Sequence, residues 1–388
     1  MNKELLNKPF QDFISENIKT NLVQLSLKKS PFKNIQNKEL IQQIEGKKTA
    51  KKKLPSWYQT SQIYYPPKIN LEQTSSEITA QYKATLISGN SIADITGGFG
   101  VDSYFFSKYF KEVYHFEMDE NLSKIAKHNF SQLDASVNCF AGNGLEKIRN
   151  KHFDVLFVDP SRRNDLKGKV FYLKDCLPNV VEHLEYLMSK CNYLLIKSSP
   201  MLDLSIGIKE LKHVFEIHVV AVENEVKELL WLLCKNRTDE IKVKTINIKK
   251  GNVEKFESVL NQYEEKYVEF PEKYLYEPNA SIMKSGLFGA LCNEFNLKKL
   301  SKNSHLFTSN ELIDFPGRKF LLQHTVQYSK PIIKKTYRNT KANVSVRNFP
   351  ESVSIIKKKW NIRDGGDKYL FFTTLQNKSK VILDCEKI

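Results

Sequence analysis

Residues 91–235 alternate apolar runs of strand length with segments of helical periodicity, and this order constrains the fold more than any other feature of the chain. A strand followed by a helix, repeated, is the signature of βαβ units, which build a parallel sheet covered by helices. In segment 178–190, Val181, Leu184, Leu187 and Met188 fall on one face of a helix. We therefore predict an α/β domain with a Rossmann-like sheet. The expected strands are 92–95, 112–117, 136–140, 154–158 and 192–197, and the expected helices lie near 101–110, 120–130, 143–150, 178–190 and 204–212.

The end of this segment predicts an antiparallel hairpin. The strand-like run Val214–Val222 is followed, after a turn at 223–225, by a second apolar run, Val226–Cys234. A connection this short requires antiparallel pairing, although a helix over 226–234 fits the pattern as well. A parallel sheet that finishes in one antiparallel hairpin distinguishes class I methyltransferases from nucleotide-binding Rossmann folds.

The composition changes on both sides of this segment. Residues 1–90 are polar and mostly helical in pattern, with Pro and Lys clusters between short segments. After residue 236 the pattern predicts a strand at 241–248, a helix at 253–265, strands at 318–329 and 340–349, a helix at 351–361, and strands at 367–374 and 379–384. That order is typical of a small α+β domain. The sequence thus predicts three domains, with bounds 1–90, 91–235 and 236–388.

The segment Ala93–Asp102 places three glycines where the first predicted strand becomes a helix. Glycines there allow a sharp turn and let a ligand approach the backbone, while the free N–H groups of the helix start attract an anion. A dinucleotide fingerprint counted from Gly97 needs glycine at the third and sixth positions, which hold Phe99 and Asp102. The pattern favours the carboxylate of S-adenosylmethionine over NAD. The predicted cofactor ligands here are Asp94, whose carboxylate would accept from the cofactor's ammonium group, with Thr96, Gly97, Gly98, Gly100 and Asp102.

Two further cofactor ligands are predicted at the ends of the next strands. Glu117 lies 117 − 97 = 20 positions after the first glycine, the spacing that a βαβ unit imposes on an acidic ribose ligand. Asp119 competes for that role but suits the cap of the helix that follows. Asn143, after the third strand, is placed to bind the adenine amine, with a role as a helix cap or turn residue as its alternative.

Chemistry is expected where the fourth strand ends, in Asp-Pro-Ser-Arg-Arg at 159–163. Ligands bind at this edge of a doubly wound sheet. Asp159 is predicted to line the cofactor site and to orient the acceptor or take its proton, and Arg162 and Arg163 suit phosphate. Lys197, after the fifth strand, belongs to the adjoining wall, and Asp159, Arg162 and Lys197 are the predicted catalytic residues. The alternative is a solvated turn with a structural aspartate.

Four segments together resemble a known family, the bacterial class I S-adenosylmethionine-dependent methyltransferases with a C-terminal THUMP-like domain. They are Glu72–Lys83, Asp94–Asp102, Asp159–Arg163 and Lys197–Asp203. The resemblance covers nearly the whole chain and implies that the last domain is ferredoxin-like or THUMP-like. It also implies that Glu72–Lys83 helps to close the pocket, although capping explains Gln73 and Ser76 equally well. Because THUMP domains are associated with RNA-modifying enzymes, the resemblance implies RNA as the substrate.

Charge supports an anionic partner independently. The chain has 60 Lys+Arg against 44 Asp+Glu, a net charge of +16. Twelve basic residues and one acid, Glu351, lie between residues 316 and 363, a potential phosphate-binding face. The alternative for Lys357–Lys359 is a favourable interaction with a helix dipole. The predicted RNA ligands of this face are Lys334, Lys335, Arg338 and Arg347, and the aromatics interleaved with them, Tyr328, Tyr337, Phe349 and Trp360, are candidates for base stacking.

The six cysteines are scattered, with no metal-ligand spacing, and no apolar run approaches the length of a membrane span. We therefore expect a soluble cytoplasmic protein without a metal. The leading hypothesis is a methyltransferase that acts on tRNA or rRNA. The alternatives are methylation of a small molecule or protein, and a noncatalytic RNA-binding protein with a vestigial cofactor domain.

Overall fold

The computed structural model of the protein describes residues 1–162, 172–237 and 240–388, and of Arg162 the backbone alone. The chain forms two compact units. The first contains Met1–Phe215 and Leu229–Thr238, and the second contains Glu216–Glu228 and Asp239–Ile388. Among the described residues, every helix is too short or too polar to cross a membrane.

The first unit begins with short helices that share one core with the helices covering the sheet, because Leu40 and Trp57 pack in the same cluster as Val101 and Ile125 of those helices. The longest helix starts at a capping box of Gln36 and Glu39, and Pro55 follows its last residues, so a new helix begins there. A 3₁₀ helix at Lys3–Leu6 precedes the α-helices of this part of the chain. The helices are α1 (Lys8–Glu16), α2 (Leu22–Ser26), α3 (Asn37–Lys53), α4 (Pro55–Gln59), α5 (Lys68–Gln73) and α6 (Glu77–Ala84).

The alternation predicted for 91–235 is present in the structure. Its elements are β1 (Ser91–Asp94), α7 (Val101–Phe106), β2 (Glu112–Glu117), α8 (Glu120–Gln132), β3 (Asn138–Ala141), α9 (Gly144–Lys147), β4 (Phe153–Val158), β5 (Ser161–Arg162), β6 (Cys176–Leu177), α10 (Leu184–Met188), β7 (Cys191–Ser198), α11 (Leu204–Glu210), β8 (Val214–Val222) and β9 (Glu225–Leu233). A 3₁₀ helix spans Leu173–Asp175. The helix predicted at 178–190 is shorter than expected. Within that segment only α10 is α-helical.

In the first unit, the strands β3, β2, β1, β4, β7 and β9 are neighbours in that order. The pairs from β3 to β7 are parallel, whereas β9 runs antiparallel to β7 with Leu194 opposite Leu233. Glu223 and Asn224 make the turn between β8 and β9 with positive φ, 50° and 62°. The predicted strand after this turn is therefore confirmed, and the helix alternative is excluded.

The second unit is the predicted α+β domain with additional elements. From residue 242 onward, its predicted and additional elements together are β10 (Lys242–Lys249), β11 (Asn252–Val259), β12 (Tyr274–Pro278), α12 (Ala280–Ser285), α13 (Phe288–Glu294), β13 (Lys298–Lys299), β14 (Phe307–Ser309), β15 (Gly317–Gln327), α14 (Lys330–Thr336), β16 (Asn343–Arg347), α15 (Val353–Trp360), β17 (Lys368–Thr374) and β18 (Lys380–Lys387). Strands β12 to β18 form a seven-stranded sheet in the order β13-β14-β12-β15-β18-β17-β16.

One prediction in this unit is wrong. The sequence pattern predicts a helix over 253–265, but β11 occupies most of that segment and pairs antiparallel with β10, Lys242 opposite Val259. Gly251, with φ of 82°, makes the turn that folds the two strands together. Sheet pairing has overridden a local pattern that favours a helix.

Candidate active site

A cavity of about 580 Å³ lies in the first unit, at the carboxyl ends of β1, β2 and β4. The strand order reverses at β1, and ligands bind at such a switch point of a parallel sheet. The volume is typical of a small-molecule site. Most of the predicted cofactor ligands line this one cavity: Asp94, Thr96, Gly97, Gly98, Asp102, Glu117, Asn143 and Asp159.

The glycine turn forms the floor of the cavity. Gly98 has φ of 55° and Gly100 has φ of 88°, values that side-chain-bearing residues rarely adopt. A Cβ atom at Gly97 would overlap the imidazole of His115, and one at Gly100 would overlap the ring of Phe130. Gly97 and Gly98 line the cavity, whereas Gly100 is the N-cap of α7 and supports the turn from behind. Glycine is thus required at these positions by backbone conformation and by packing against His115 and Phe130.

Glu117 holds this turn against the end of β2. Its Oε2 accepts a hydrogen bond from the backbone N–H of Gly98 at 2.7 Å, and its Oε1 accepts one from the N–H of Asp119 at 2.8 Å. Each carboxylate oxygen keeps a second lone pair for a ligand hydroxyl. Asp119 caps α8 by accepting from Asn121 N–H, so its predicted capping role is confirmed.

Apolar surface lies beside Glu117. Met118 is 73% exposed and lines the cavity together with Leu122 and Leu145. A largely exposed methionine in a cavity offers a polarizable surface for a planar ring. Asn143 lines the same region and also caps α9 by accepting from the N–H of Leu145. This residue therefore both borders the cavity and serves as a helix cap.

Asp94 lies at the inner end of the cavity and is 1% exposed. Its Oδ2 accepts from the hydroxyl of Ser103 at 2.9 Å, and its Oδ1 accepts from the N–H of Thr96 at 3.1 Å. Burial, followed by the negative charges of Asp102 and Asp159, raises the pKa of Asp94 to about 8. The carboxyl is therefore protonated at neutral pH until a cation enters.

Asp102 pairs with a buried lysine from the N-terminal helices. The Lys83 Nζ lies 3.2 Å from the Asp102 Oδ1, with side chains 0% and 10% exposed. Ser75 donates a hydrogen bond to the Asp102 Oδ2 at 2.7 Å and accepts one from Lys83. Sequence reasoning missed this partner, because a single lysine on a short helix is normally interpreted as solvated.

Asp159 forms an ion pair with Lys197 at the outer part of the cavity. The side chains are 29% and 14% exposed, respectively. The backbone N–H of Asp159 donates to the Thr96 hydroxyl at 2.7 Å, which fixes the end of β4 to the glycine turn. Asp159 lines the cavity, and Lys197 stands behind it as its partner.

The remaining wall comes from two segments outside the main sheet. Strands β5 and β6 pair Ser161 with Leu177 and lead to Asn179, Glu182 and His183, which line the cavity. The side chain of Arg162 and all of Arg163 lie outside the described residues. On the other side, Asn70 and 73–75 of the N-terminal helices complete the wall.

The cavity is acidic although the chain is basic. Among the described residues that line it, none is lysine or arginine. Five lining residues are acidic, namely Asp94, Asp102, Glu117, Asp159 and Glu182. Asp102 and Asp159 are paired with Lys83 and Lys197, whereas Glu117 and Glu182 have no cationic partner among the described residues. The interior can therefore accept a cationic group and offers no described cation to a phosphate.

Similarity to known proteins agrees with this geometry. A crystal structure of a protein assigned as a methyltransferase, from Porphyromonas gingivalis W83, is 30% identical and aligns over 99% of this chain and 98% of that chain with a TM-score of 0.89. Residues 274–316 match a ferredoxin-like domain family, and residues 317–387 match a THUMP domain-like family. The chain belongs to the methyltransferase family with a C-terminal THUMP-like domain.

Other similarities are partial. The tRNA (uracil-54, C5)-methyltransferase of Pyrococcus abyssi, solved with S-adenosyl-L-homocysteine, is 20% identical over 40% of this chain and 37% of that chain, with a TM-score of 0.31. An rRNA methylase from Streptococcus thermophilus is 16% identical over 42% of this chain and 99% of that chain, with a TM-score of 0.30. No curated protein matches the sequence significantly.

The THUMP-like domain contains the predicted RNA ligands. Lys334 and Lys335 are exposed on α14, and Arg338 is exposed just after it. Arg347, on β16, instead places its Nη2 2.6 Å from Oε1 of the buried Glu277, which also pairs with Arg318. Part of the Arg347 guanidinium is therefore already occupied.

The prediction of base stacking is wrong for two of the four aromatics. Tyr337 is fully buried and donates a hydrogen bond to Asp384, and Trp360 is 7% exposed within the same core. Tyr328 and Phe349 are partly buried and pack against that core. In a small domain, large aromatic rings fill the interior and are then not available for base stacking.

Proposed function

We propose that the protein binds S-adenosylmethionine in this cavity and transfers its methyl group to RNA. The observation that carries the proposal is the acidic, glycine-floored cavity in a chain of net charge +16. The cofactor carries a sulfonium and an ammonium group, so a cavity whose described lining residues include carboxylates but no lysine or arginine suits it. Its own carboxylate would meet backbone N–H groups where α7 begins.

Each part of the cavity has a role in this proposal. Glu117 binds the ribose hydroxyls, Met118 packs on the adenine ring, and Asn143 hydrogen-bonds the adenine edge. Asp94 pairs with the cofactor's ammonium group, and Asp102, which is already paired with Lys83, holds the start of α7 beside it. The cofactor supplies an activated methyl group when bound. Asp159, held by Lys197, then orients the acceptor atom and takes up its proton.

RNA is proposed as the acceptor because of the THUMP-like domain. Residues 317–387 match that domain family, and their surface exposes Lys334, Lys335 and Arg338 without a described carboxylate partner. Cations of this kind bind the phosphate backbone. Arg162 and Arg163 are proposed as further phosphate ligands.

Calorimetry with the purified protein tests the cofactor assignment. We expect S-adenosylmethionine to bind, and Glu117→Ala to weaken binding by about 1–3 kcal/mol because buried hydrogen bonds are lost. Glu112→Ala, an exposed acid at the other end of the same strand, is the matched control. No measurable binding would refute the proposed function, and unchanged affinity in Glu117→Ala would refute the ribose assignment.

Methyl transfer from labelled cofactor to fractionated tRNA and rRNA tests the acceptor class. The triple variant Lys334→Gln, Lys335→Gln, Arg338→Gln should weaken RNA binding and lower the salt slope by about 0.7–0.9 for each phosphate that is no longer neutralised. Cofactor affinity should not change. The control exchanges three exposed lysines of the connection between α2 and α3, Lys28, Lys29 and Lys33, for glutamine. Equal losses of RNA affinity in both triple variants would show that overall charge, and not this face, binds RNA.

A further inference from the structure

The cavity wall formed by the N-terminal helices contains polar side chains that nothing in the described part of the protein satisfies. Asn70, Gln73 and Thr74 line the cavity, and none of their side chains has a hydrogen-bond partner among the described residues. Ser75 differs, because its hydroxyl is already used by Asp102 and Lys83. Gln73 is exposed and Asn70 and Thr74 are partly buried, so solvent reaches these groups and they are available to a ligand.

This wall is held rigidly. The Lys53 Nζ donates to the backbone carbonyls of Leu71 at 3.0 Å and Glu72 at 2.6 Å, the last turn of α5. At the other end, the hydroxyl of Ser75 is fixed to Asp102. Asn70 and Gln73 are three positions apart on α5, so their amides project from one face of the helix. A recognition surface held at both ends loses little entropy when a ligand binds.

The chemistry of the wall selects a neutral acceptor with a hydrogen-bonding edge. An amide offers one acceptor oxygen and two N–H donors, the combination that reads the edge of a nucleobase. A phosphate would find no cation among the described lining residues and five acids instead. The nucleobase must therefore enter the cavity alone, turned out of its stack, while its phosphate stays outside.

We propose that Asn70 and Gln73 bind the edge of the acceptor nucleobase during methyl transfer. The proposal rests on the proposed RNA methyltransferase function and names the part of the RNA that enters the site. The two residues are recognition residues for the acceptor and make no contribution to binding the cofactor.

The test uses the full-length protein and the variants Asn70→Leu and Gln73→Leu, which keep side-chain size and remove the amide. Gln24→Leu, the same exchange at an exposed position of α2, is the control. Two measurements are made: cofactor affinity by calorimetry, and binding of adenosine, guanosine, cytidine and uridine to the protein saturated with S-adenosylhomocysteine, by saturation-transfer NMR. We expect at least one nucleoside to bind the wild type and the Gln24→Leu variant. Both cavity variants should weaken that binding about 5-fold or more, because hydrogen bonds to the base edge are removed, with unchanged cofactor affinity.

The outcomes separate this proposal from the proposed function. If the wild type methylates RNA but binds no nucleoside, or if Gln73→Leu binds nucleosides as Gln24→Leu does, the base assignment is overturned. If cofactor affinity falls with nucleoside binding, the amides belong to the cofactor site and the proposal is overturned. Amide-dependent nucleoside binding without RNA methylation would refute the RNA methyltransferase function and would overturn the assignment of the bound base as a methyl acceptor, although Asn70 and Gln73 would remain base ligands.

Discussion

Two lysine–aspartate pairs border the same cavity, and they differ in burial. Lys83 and Asp102 join α6 to α7 with side chains that are 0% and 10% exposed. Lys197 and Asp159 join the ends of β7 and β4 with side chains that are 14% and 29% exposed. A fully buried pair is costly to desolvate and very costly to break, whereas a pair that solvent and substrate can reach is free to exchange partners. We infer that the first pair holds the cavity together and that the second takes part in chemistry.

The strongest way to test this difference is to break the buried pair. Lys83→Met leaves the Asp102 carboxylate without its countercharge inside the protein, and we expect the free energy of unfolding to fall by about 3–5 kcal/mol. Denaturant unfolding followed by circular dichroism measures this change. The double variant Lys83→Met, Asp102→Leu removes both charges and should recover most of the stability.

An exposed pair provides the control for that experiment. Lys124 and Glu120 lie on α8 with side chains 60% and 71% exposed, so Lys124→Met should leave the unfolding midpoint nearly unchanged. If Lys83→Met were as mild as Lys124→Met, burial of the first pair would have no structural importance and the comparison would fail.

The second pair should respond more in activity than in stability. Asp159→Asn keeps the shape of the side chain and removes its charge, so we expect kcat to fall about 100-fold, the lower end of the contribution of a positioned acid or base. The unfolding midpoint should fall less than in Lys83→Met, because both partners of this pair keep some contact with solvent.

Asp154 supplies the matched control on the same strand. It lies at the opposite end of β4, where its carboxylate accepts hydrogen bonds from the N–H groups of Asn90 and Ser91. Asp154→Asn should lower stability and leave kcat unaltered below the unfolding temperature. If Asp159→Asn lost much stability but kept normal turnover per folded molecule, the second pair would be structural, and the inference that it takes part in chemistry would be wrong.

The two kinds of cavity residue, those at strand ends and those on the N-terminal helices, also differ in how well the sequence could place them. Glu117 and the glycine turn follow from local pattern, because a βαβ unit fixes the separation of consecutive strand ends along the chain. Lys83 and Gln73 could not be placed in the same way. They reach the cavity through packing of separate helices against the sheet, and no spacing rule connects them to Asp102.

Local pattern failed where tertiary pairing or core packing decided the outcome. Segment 253–265 has helical periodicity but pairs with β10, and Tyr337 looks like a stacking residue but fills a core. The roles assigned to individual cavity residues and the three domain bounds stay predictions. The carboxyl-edge cluster was predictable because parallel topology gathers strand ends whatever the rest of the chain does.

The smallest expected effect concerns Asp94, whose carboxyl lies between the two lysine–aspartate pairs. It also gives the sharpest test of the comparison between those pairs. The charges of Asp102 and Asp159 add to burial in raising the pKa of Asp94 to about 8, above its ordinary value, so below that pH the group must lose a proton before it can pair with a cation. S-adenosylmethionine affinity should therefore rise about tenfold between pH 6 and pH 7 and level off above pH 8. Calorimetry in buffers of different ionisation enthalpy should show nearly one proton released on binding at pH 6. Affinity independent of pH, with no proton released, would mean that Asp94 stays protonated and only supports the turn through Ser103.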